Sequence, residues 1–166
     1  MLKNLFESGI SFQQEFDKSQ EEHKQKALDY IKNMEISENI IDQVKNIDKE
    51  VNILGFSELW CADCQINASV MNYLTQLNPN INLRLVSLKG HEEIIKEHSD
   101  DGKVKIPIFL MLDENFNKIG DFIEVPSNVR AIEETENQVE RIQIKKEYRK
   151  GKFMEQTVRD FLDSVK

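Results

Sequence analysis

Cysteine occurs only twice in the 166 residues, tryptophan once and proline three times. Two cysteines cannot build the multi-bridge framework that holds small secreted domains together. A tetrahedral zinc centre needs four ligands, usually two cysteine pairs. Only His23, His91 and His98 are left to complete one, and none has ligand spacing to the cysteines, so no metal site is expected. Long apolar runs are missing as well. The longest, Ile106 to Leu112, contains a proline and is far short of the ~20 residues a membrane span requires. The segment Met1-Leu2-Lys3-Asn4-Leu5-Phe6-Glu7 has no apolar core behind its lysine and no cleavage site. No secretory signal is therefore expected, and a reducing, cytoplasmic location is the default. Basic residues are outnumbered, 22 to 30, giving a net charge of −8. That excess excludes general affinity for nucleic acid or a membrane surface, both of which select basic patches. Only residues 126–166 reach balance, with 9 basic and 8 acidic side chains at helical spacing, which reads as a solvated face.

What is present fits one domain over residues 1–166, with residues 1–50 a helical extension packed on a core at 51–166. The first fifty residues contain no proline and a single glycine, so nothing marks a free linker. Ser11 and Gln14 have the spacing of a capping box. Ser37 is placed to cap a second helix, with Ile36 and Ile41 as a hydrophobic staple. Phe12, Phe16, Ala27, Leu28, Ile31 and Met34 mark an intermittent apolar stripe.

At residue 51 the pattern changes. Val51 to Phe56 predicts a buried strand, and Ile66, Val70, Met71, Leu74 and Leu77 a helix stopped by Asn78-Pro79. Ile81 to Ser87 alternates as a second strand, and His91 to His98 suits a short helix. Ile106 to Leu112 predicts a third strand, joined through the turn-forming residues 113–117 to a return strand at Lys118–Val125. A helix from Ser127 toward Gly151, carrying Val129, Ile132, Val139, Ile142 and Tyr148, precedes a last amphipathic segment from Phe153 to Val165. Two strand–helix–strand crossovers followed by a hairpin give an α/β fold. Its central mixed sheet has about four strands flanked by helices.

Both cysteines and the tryptophan fall in Trp60-Cys61-Ala62-Asp63-Cys64, between the first strand and the next helix. Residues three apart on one helical turn lie ~5–6 Å from each other, inside the span a disulfide accepts. Amides and peptide dipoles at a helix start favour negative charge, so Cys61 is expected to ionise more readily than a free thiol. Cys64, one turn further in, can then attack a mixed disulfide formed at Cys61. Redox chemistry, half of a metal site and an inert pair all remain open on these residues alone. Pro107, opening an otherwise buried strand, fits an ordinary strand-initiating proline, or a cis Ile106–Pro107 bond that turns the chain sharply.

In combination these residues resemble the thioredoxin superfamily. The likeness rests on the 51–56 strand, the Trp60–Cys64 motif at a helix start, Ile106-Pro107 46 residues beyond Cys61, and the hairpin and closing helix after it. It covers roughly residues 50–165, with helical additions at both ends. The resemblance implies a thiol–disulfide oxidoreductase that needs no cofactor and works on a disulfide-containing substrate. A thiol reductant or reductase would recycle it. Cys61 would be the exposed nucleophile, Cys64 the buried resolving thiol and Pro107 a cis-proline beside them. Trp60 would shield the site, and the Ile106 backbone would hydrogen-bond an extended substrate.

Two departures qualify the likeness. Ala62-Asp63 replaces the family's Gly-Pro, and an anionic Asp63 opposes thiolate formation. The buried Asp that thioredoxins carry six residues before the first cysteine is here Gly55, leaving Glu58 or Asp63 as candidate proton carriers. The alternative these departures favour is a binding or adaptor domain that keeps the fold without turnover.

Overall fold

The run at residues 51–56 is buried along its whole length, as a strand enclosed on both faces must be. In the computed structural model, which describes residues 1–166, it is β1 (Val51–Phe56). With β2 (Ile81–Val86), β3 (Ile108–Leu112) and β4 (Lys118–Ile123) it forms a mixed sheet ordered β2-β1-β3-β4. β1 and β2 are parallel, in the register Val51–Ile81 to Phe56–Val86. β3 runs antiparallel to β1, and β4 antiparallel to β3. The fold is thus α/β, but only the first strand–helix–strand unit is a parallel crossover. The short connection through residues 87–107 brings β3 back in the opposite sense, which corrects the expectation of two crossovers. β3 also begins at Ile108 rather than Ile106, because Ile106–Pro107 is a cis peptide that lies outside the ladder.

Nine helices surround the sheet: α1 (Leu2–Ser8), α2 (Phe12–Lys18), α3 (Glu21–Lys32), α4 (Glu38–Lys45), α5 (Ala62–Leu77), α6 (Glu92–His98), α7 (Ser127–Glu133), α8 (Gln138–Arg149) and α9 (Met154–Ser164). None is long and apolar enough to cross a membrane. The alternating side chains of the strands divide the core in two. Val51, Ile53, Leu83, Phe109 and Met111 face α5 and, around it, Phe12, Ala27, Ile40, Val44, Val158 and Phe161 of the terminal helices. On the opposite face Leu54, Phe56, Ile108 and Leu110 pack with Ile95 of α6 and with Leu2, Leu5 and Phe6 of α1.

The first fifty residues are built into this core by hydrogen bonds as well as by packing. Ser11 and Gln14 form both bonds of the capping box that starts α2. Just before it, Ile10 pairs with the open edge of β2, exchanging N–H···O bonds with Leu85 at 2.9 and 2.7 Å. That contact covers an edge which would otherwise invite pairing with another chain. At the far end of α5, Asn78 does more than stop the helix. Its amide donates to the Val44 carbonyl at 2.8 Å and to the Ile47 carbonyl at 2.9 Å, satisfying the C-terminal end of α4.

Several local expectations are revised. Ser37 stands at the N-cap of α4 without a side-chain bond to the helix; its N–H donates to Glu155 Oε1 of α9 at 2.7 Å instead. Leu28 and Ile31, part of the intermittent apolar stripe, are exposed, and Ala27 is the buried residue of α3. The helix expected from Ser127 is two helices. Asn137 accepts from the Glu140 N–H and starts α8 anew, so Val139 and Ile142 lie on its exposed outer side.

Asn78 is almost completely buried, so Asn78→Ala leaves buried carbonyls without donors. A loss of ~2–3 kcal/mol of unfolding free energy is expected, measurable by urea denaturation. A loss no larger than that of an exposed-site control would show that Asn78 does not tie α4 to the core.

Candidate active site

Cys61 is the N-cap residue of α5, with an extended backbone (φ −85, ψ 127), and Cys64 lies one turn inside. Both are free thiols, Cys61 partly exposed and Cys64 buried. Two bonds to Leu59 fix the loop that delivers Cys61. Its N–H donates to Glu15 Oε1 of α2 at 3.2 Å, and its carbonyl accepts from Gln65 Nε2 of α5 at 2.8 Å. Leu59 itself is fully buried. Trp60, next in the chain, is 58% exposed and stands beside the thiol as surface rather than core.

Residues 105–107 form the opposing wall. The Cys61 thiol donates to the Ile106 carbonyl with Sγ···O of 3.8 Å, and the following Pro107 is in the cis form. Lys105 holds this wall in place, pairing with Asp100 at 2.9 Å, Asp101 at 3.0 Å and Glu124 at 3.2 Å. Arg130 adds contacts to Asp100 and to the Ile123 carbonyl. Glu124 adopts a left-handed conformation rare for a residue with a side chain (φ 62). There its N–H donates to the Pro107 carbonyl at 2.8 Å, and its own carbonyl accepts from Asn67 Nδ2 of α5 at 3.1 Å.

The two thiols differ sharply in acidity. The Cys61 thiol is brought down to about 7 by, first, hydrogen bonding from the Cys64 side chain; burial opposes this, and the Cys64 and Asp63 amides assist it. The nearby Asp63 charge acts the other way, as the sequence suggests. Cys64 is pushed well up, chiefly by burial and then by its neighbour Cys61. Ser57 Oγ is buried and makes no hydrogen bond of standard geometry. It faces the Cys64 sulfur closely enough to favour that thiolate.

Asp63 turns away from solvent toward the C-terminal helices, pairing with Arg149 Nη2 of α8 at 3.3 Å. Burial pushes its carboxyl above the usual carboxylate range, while Arg149 and the Tyr148 hydroxyl favour its charged form. The Tyr148 oxygen accepts from Asn67 Nδ2 at 2.9 Å, and Asn67 Oδ1 accepts from Thr157 of α9 at 2.9 Å. Of the residues brought out by sequence reading, Cys61 lies beside Cys64 and against the Ile106–Pro107 wall, the Asp63 side chain turns to Arg149, and Trp60 is exposed. That reading missed Glu15, Ser57, Gln65, Asn67, Glu124, Tyr148 and Arg149. Of these only Tyr148 carried a signal, as an apolar helix position. Glu58, considered as a proton carrier, makes its mark through its backbone, which accepts from the Cys61 N–H at 3.0 Å. His91 Nδ1 bonds the Ser87 carbonyl at 2.7 Å at the start of α6, and no group of three His, Cys, Asp or Glu side chains is arranged to hold a metal.

A parallel β1–α5–β2 unit, an antiparallel β3–β4 hairpin and a dithiol opposite a cis-proline define a thioredoxin-like protein. The chain belongs to the thioredoxin family, whose model, described as thioredoxin, matches residues 9–149. It is similar to a Pseudomonas aeruginosa protein of unknown function, with a TM-score of 0.88 and 24% identity over 98% of this chain and 95% of that one. It is also similar to an HIV epitope-scaffold, with a TM-score of 0.86 and 23% identity over 98% and 96% of the two chains. At these identities the likeness shows the fold alone, and it extends through the helical additions at both ends. A comparison with curated proteins gives no match.

The Gly55 position has no room for the carboxylate the family places there. A β-carbon would stand 2.7 Å from Phe109 Cε1 and 2.8 Å from Leu85 Cδ2. Gly55→Ala should cost ~1–3 kcal/mol by overpacking, and Gly55→Asp more, because it also buries an unpaired charge. Thermal or urea unfolding of the two variants checks this. An Asp variant as stable as the wild type would mean that the pocket opens to admit a carboxylate.

Proposed function

We propose that the protein is a thiol–disulfide oxidoreductase working through the Cys61–Cys64 dithiol. The observation that carries this reading is the asymmetry of the pair: an accessible, acidified Cys61 at a helix start against the Ile106–Pro107 wall, with a buried, poorly acidic Cys64 behind it.

Cys61 thiolate attacks one sulfur of a substrate disulfide, and the other sulfur leaves as a thiolate that takes up a proton. The chain is then joined to the substrate by a mixed disulfide. Cys64 gives up its proton, aided by the Ser57 hydroxyl, and attacks Cys61 Sγ. The second substrate thiol departs and a Cys61–Cys64 disulfide remains. Two electrons and two protons have passed to the substrate, and an external thiol reductant or reductase must return them. The Ile106 carbonyl, which accepts the Cys61 S–H in the reduced state, is set to receive a backbone N–H of an extended substrate. Exposed Trp60 supplies apolar surface beside it.

A second reading, a binding domain without turnover, draws on the apolar filling at Gly55, which removes the usual proton acceptor behind the resolving thiol.

Reduced protein should therefore reduce an aromatic disulfide or a disulfide-bonded protein, and Cys61→Ser should bring the rate to background. Cys64→Ser should instead accumulate the mixed disulfide. Alkylation of Cys61 should rise about tenfold between about pH 6 and pH 8 and then level off, since only the thiolate reacts. The midpoint lies at the acidity of Cys61, about 7. Equal, negligible rates for wild type and Cys61→Ser over several disulfides would overturn the oxidoreductase reading in favour of binding.

A further inference from the structure

A carboxylate between two redox cysteines is a handicap for thiolate chemistry, yet it is not left free in solvent. The Asp63 side chain is only 18% exposed and pairs with Arg149 Nη2 at 3.3 Å across an interface between α5 and α8. Arg149 is held from behind: its carbonyl accepts from the Tyr30 hydroxyl of α3 at 2.7 Å. One turn along α5, Asn67 donates to the Asp63 carbonyl at 3.0 Å and to the Tyr148 oxygen at 2.9 Å, and it receives the Thr157 hydroxyl at 2.9 Å. Asn67, Tyr148 and Thr157 are all essentially buried. Helices from both terminal additions therefore converge on a polar network whose end inside the dithiol motif is the Asp63 carboxylate.

We infer that Arg149, on the C-terminal addition, governs the reactivity of Cys61 through Asp63, as a tuning residue that never touches the substrate. The physical basis is the distance dependence of charge interactions. A lone buried carboxylate acts on a neighbouring thiolate as a full charge, whereas a carboxylate paired with a guanidinium acts as a dipole whose field falls off faster. Asp63 lies close enough to Cys61 to disfavour its ionisation. Other charged and titratable groups near the pair are Lys145 and Tyr148 on α8, Glu124 beyond β4 and Tyr30 on α3, with Lys26, Asp29 and Lys150 lining the same groove as Arg149. Arg149 is the cation in direct contact. An unpaired Asp63 would make Cys61 a poorer nucleophile at neutral pH, and the pair relieves that penalty without removing the charge. A surface ion pair with no functional link would be worth little and would leave the thiol unmoved.

This tuning gains its functional meaning from the oxidoreductase reading above, but Cys61 acidity is measurable with no disulfide substrate present. The experiment follows the pH dependence of Cys61 alkylation by iodoacetamide, with adducts assigned by mass spectrometry. The variants are Asp63→Asn, Arg149→Gln, Arg149→Lys and Asp63→Asn/Arg149→Gln. Arg149→Gln keeps most of the side-chain stem and so its packing. Asp63→Asn should lower the midpoint, and Arg149→Gln should raise it, each by about half a unit to one unit. Arg149→Lys should stay close to the wild type, and the double variant should match Asp63→Asn alone. The inference is overturned if Arg149→Gln leaves the midpoint in place, or shifts it equally with and without Asp63. Those outcomes are independent of whether the protein reduces any disulfide, so the two readings fail separately.

Discussion

Burial of α5 on every side is the constraint on which the rest of the structure depends. Its residues from Cys64 to Met71 are buried without a break, so no polar face is left for water. A helix of that kind needs cover opposite the sheet as well as the sheet itself. The helical additions at both ends supply it, with Phe12, Ala27, Ile40 and Val44 from one end and Val158 and Phe161 from the other. Polar side chains on such a helix must find partners within the protein. Gln65 takes the Leu59 carbonyl, Ser69 the Gln65 carbonyl, and Asn67 a set of groups from the segment after β4, from α8 and from α9. Satisfying those groups is what positions the dithiol loop, so site geometry follows from core formation.

Acidity at Cys61 is a contest between hydrogen bonds at the helix start and the burial and charge around them. The helix start and the Cys64 thiol pull it down, and burial and Asp63 push it up, with the first set prevailing. The largest favourable contribution is the Cys64 side chain, so the acidity depends on the second cysteine as well as on the strand-to-helix turn. The opposing carboxylate is moderated from a residue 86 positions away in the sequence, Arg149. The turn and Cys64 acidify Cys61, and in the tuning proposed above the C-terminal addition sets how far.

That division also explains what the sequence made legible. The strand at 51–56, the helix stopped at Asn78, the hairpin, the capping box at Ser11 and the dithiol motif all rest on residues close together in the chain. The direction of β3 was not legible, because a connection of about twenty residues permits either sense. The break at Asn137 was hidden by Val139 and Ile142, which continue an apolar rhythm while facing solvent. The site's supporting bonds span 44 residues from Glu15 to Leu59, 81 from Asn67 to Tyr148 and 90 from Asn67 to Thr157. Nothing in local spacing encodes such pairings. Glu15 carries no local signal in the sequence, yet it is buried and bonds the Leu59 N–H of the dithiol loop.

Gly55 shows how the core limits the chemistry available to the site. Phe109, on the strand that follows the cis-proline, fills the space beside the Gly55 Cα and closes it to any side chain. The packing that makes β1 and β3 a tight central pair thereby leaves no space at this position for the carboxylate that the family resemblance implies. What faces the buried thiol instead is the Ser57 hydroxyl, which can accept a hydrogen bond and pass it on but cannot hold a full charge near neutrality. A resolving thiol served only by a hydroxyl ionises less readily than one beside a carboxylate. In the exchange proposed above, attack by Cys64 would then be slower than attack by Cys61. In that proposed exchange the mixed disulfide would be the longest-lived intermediate, held at Cys61 next to the exposed Trp60.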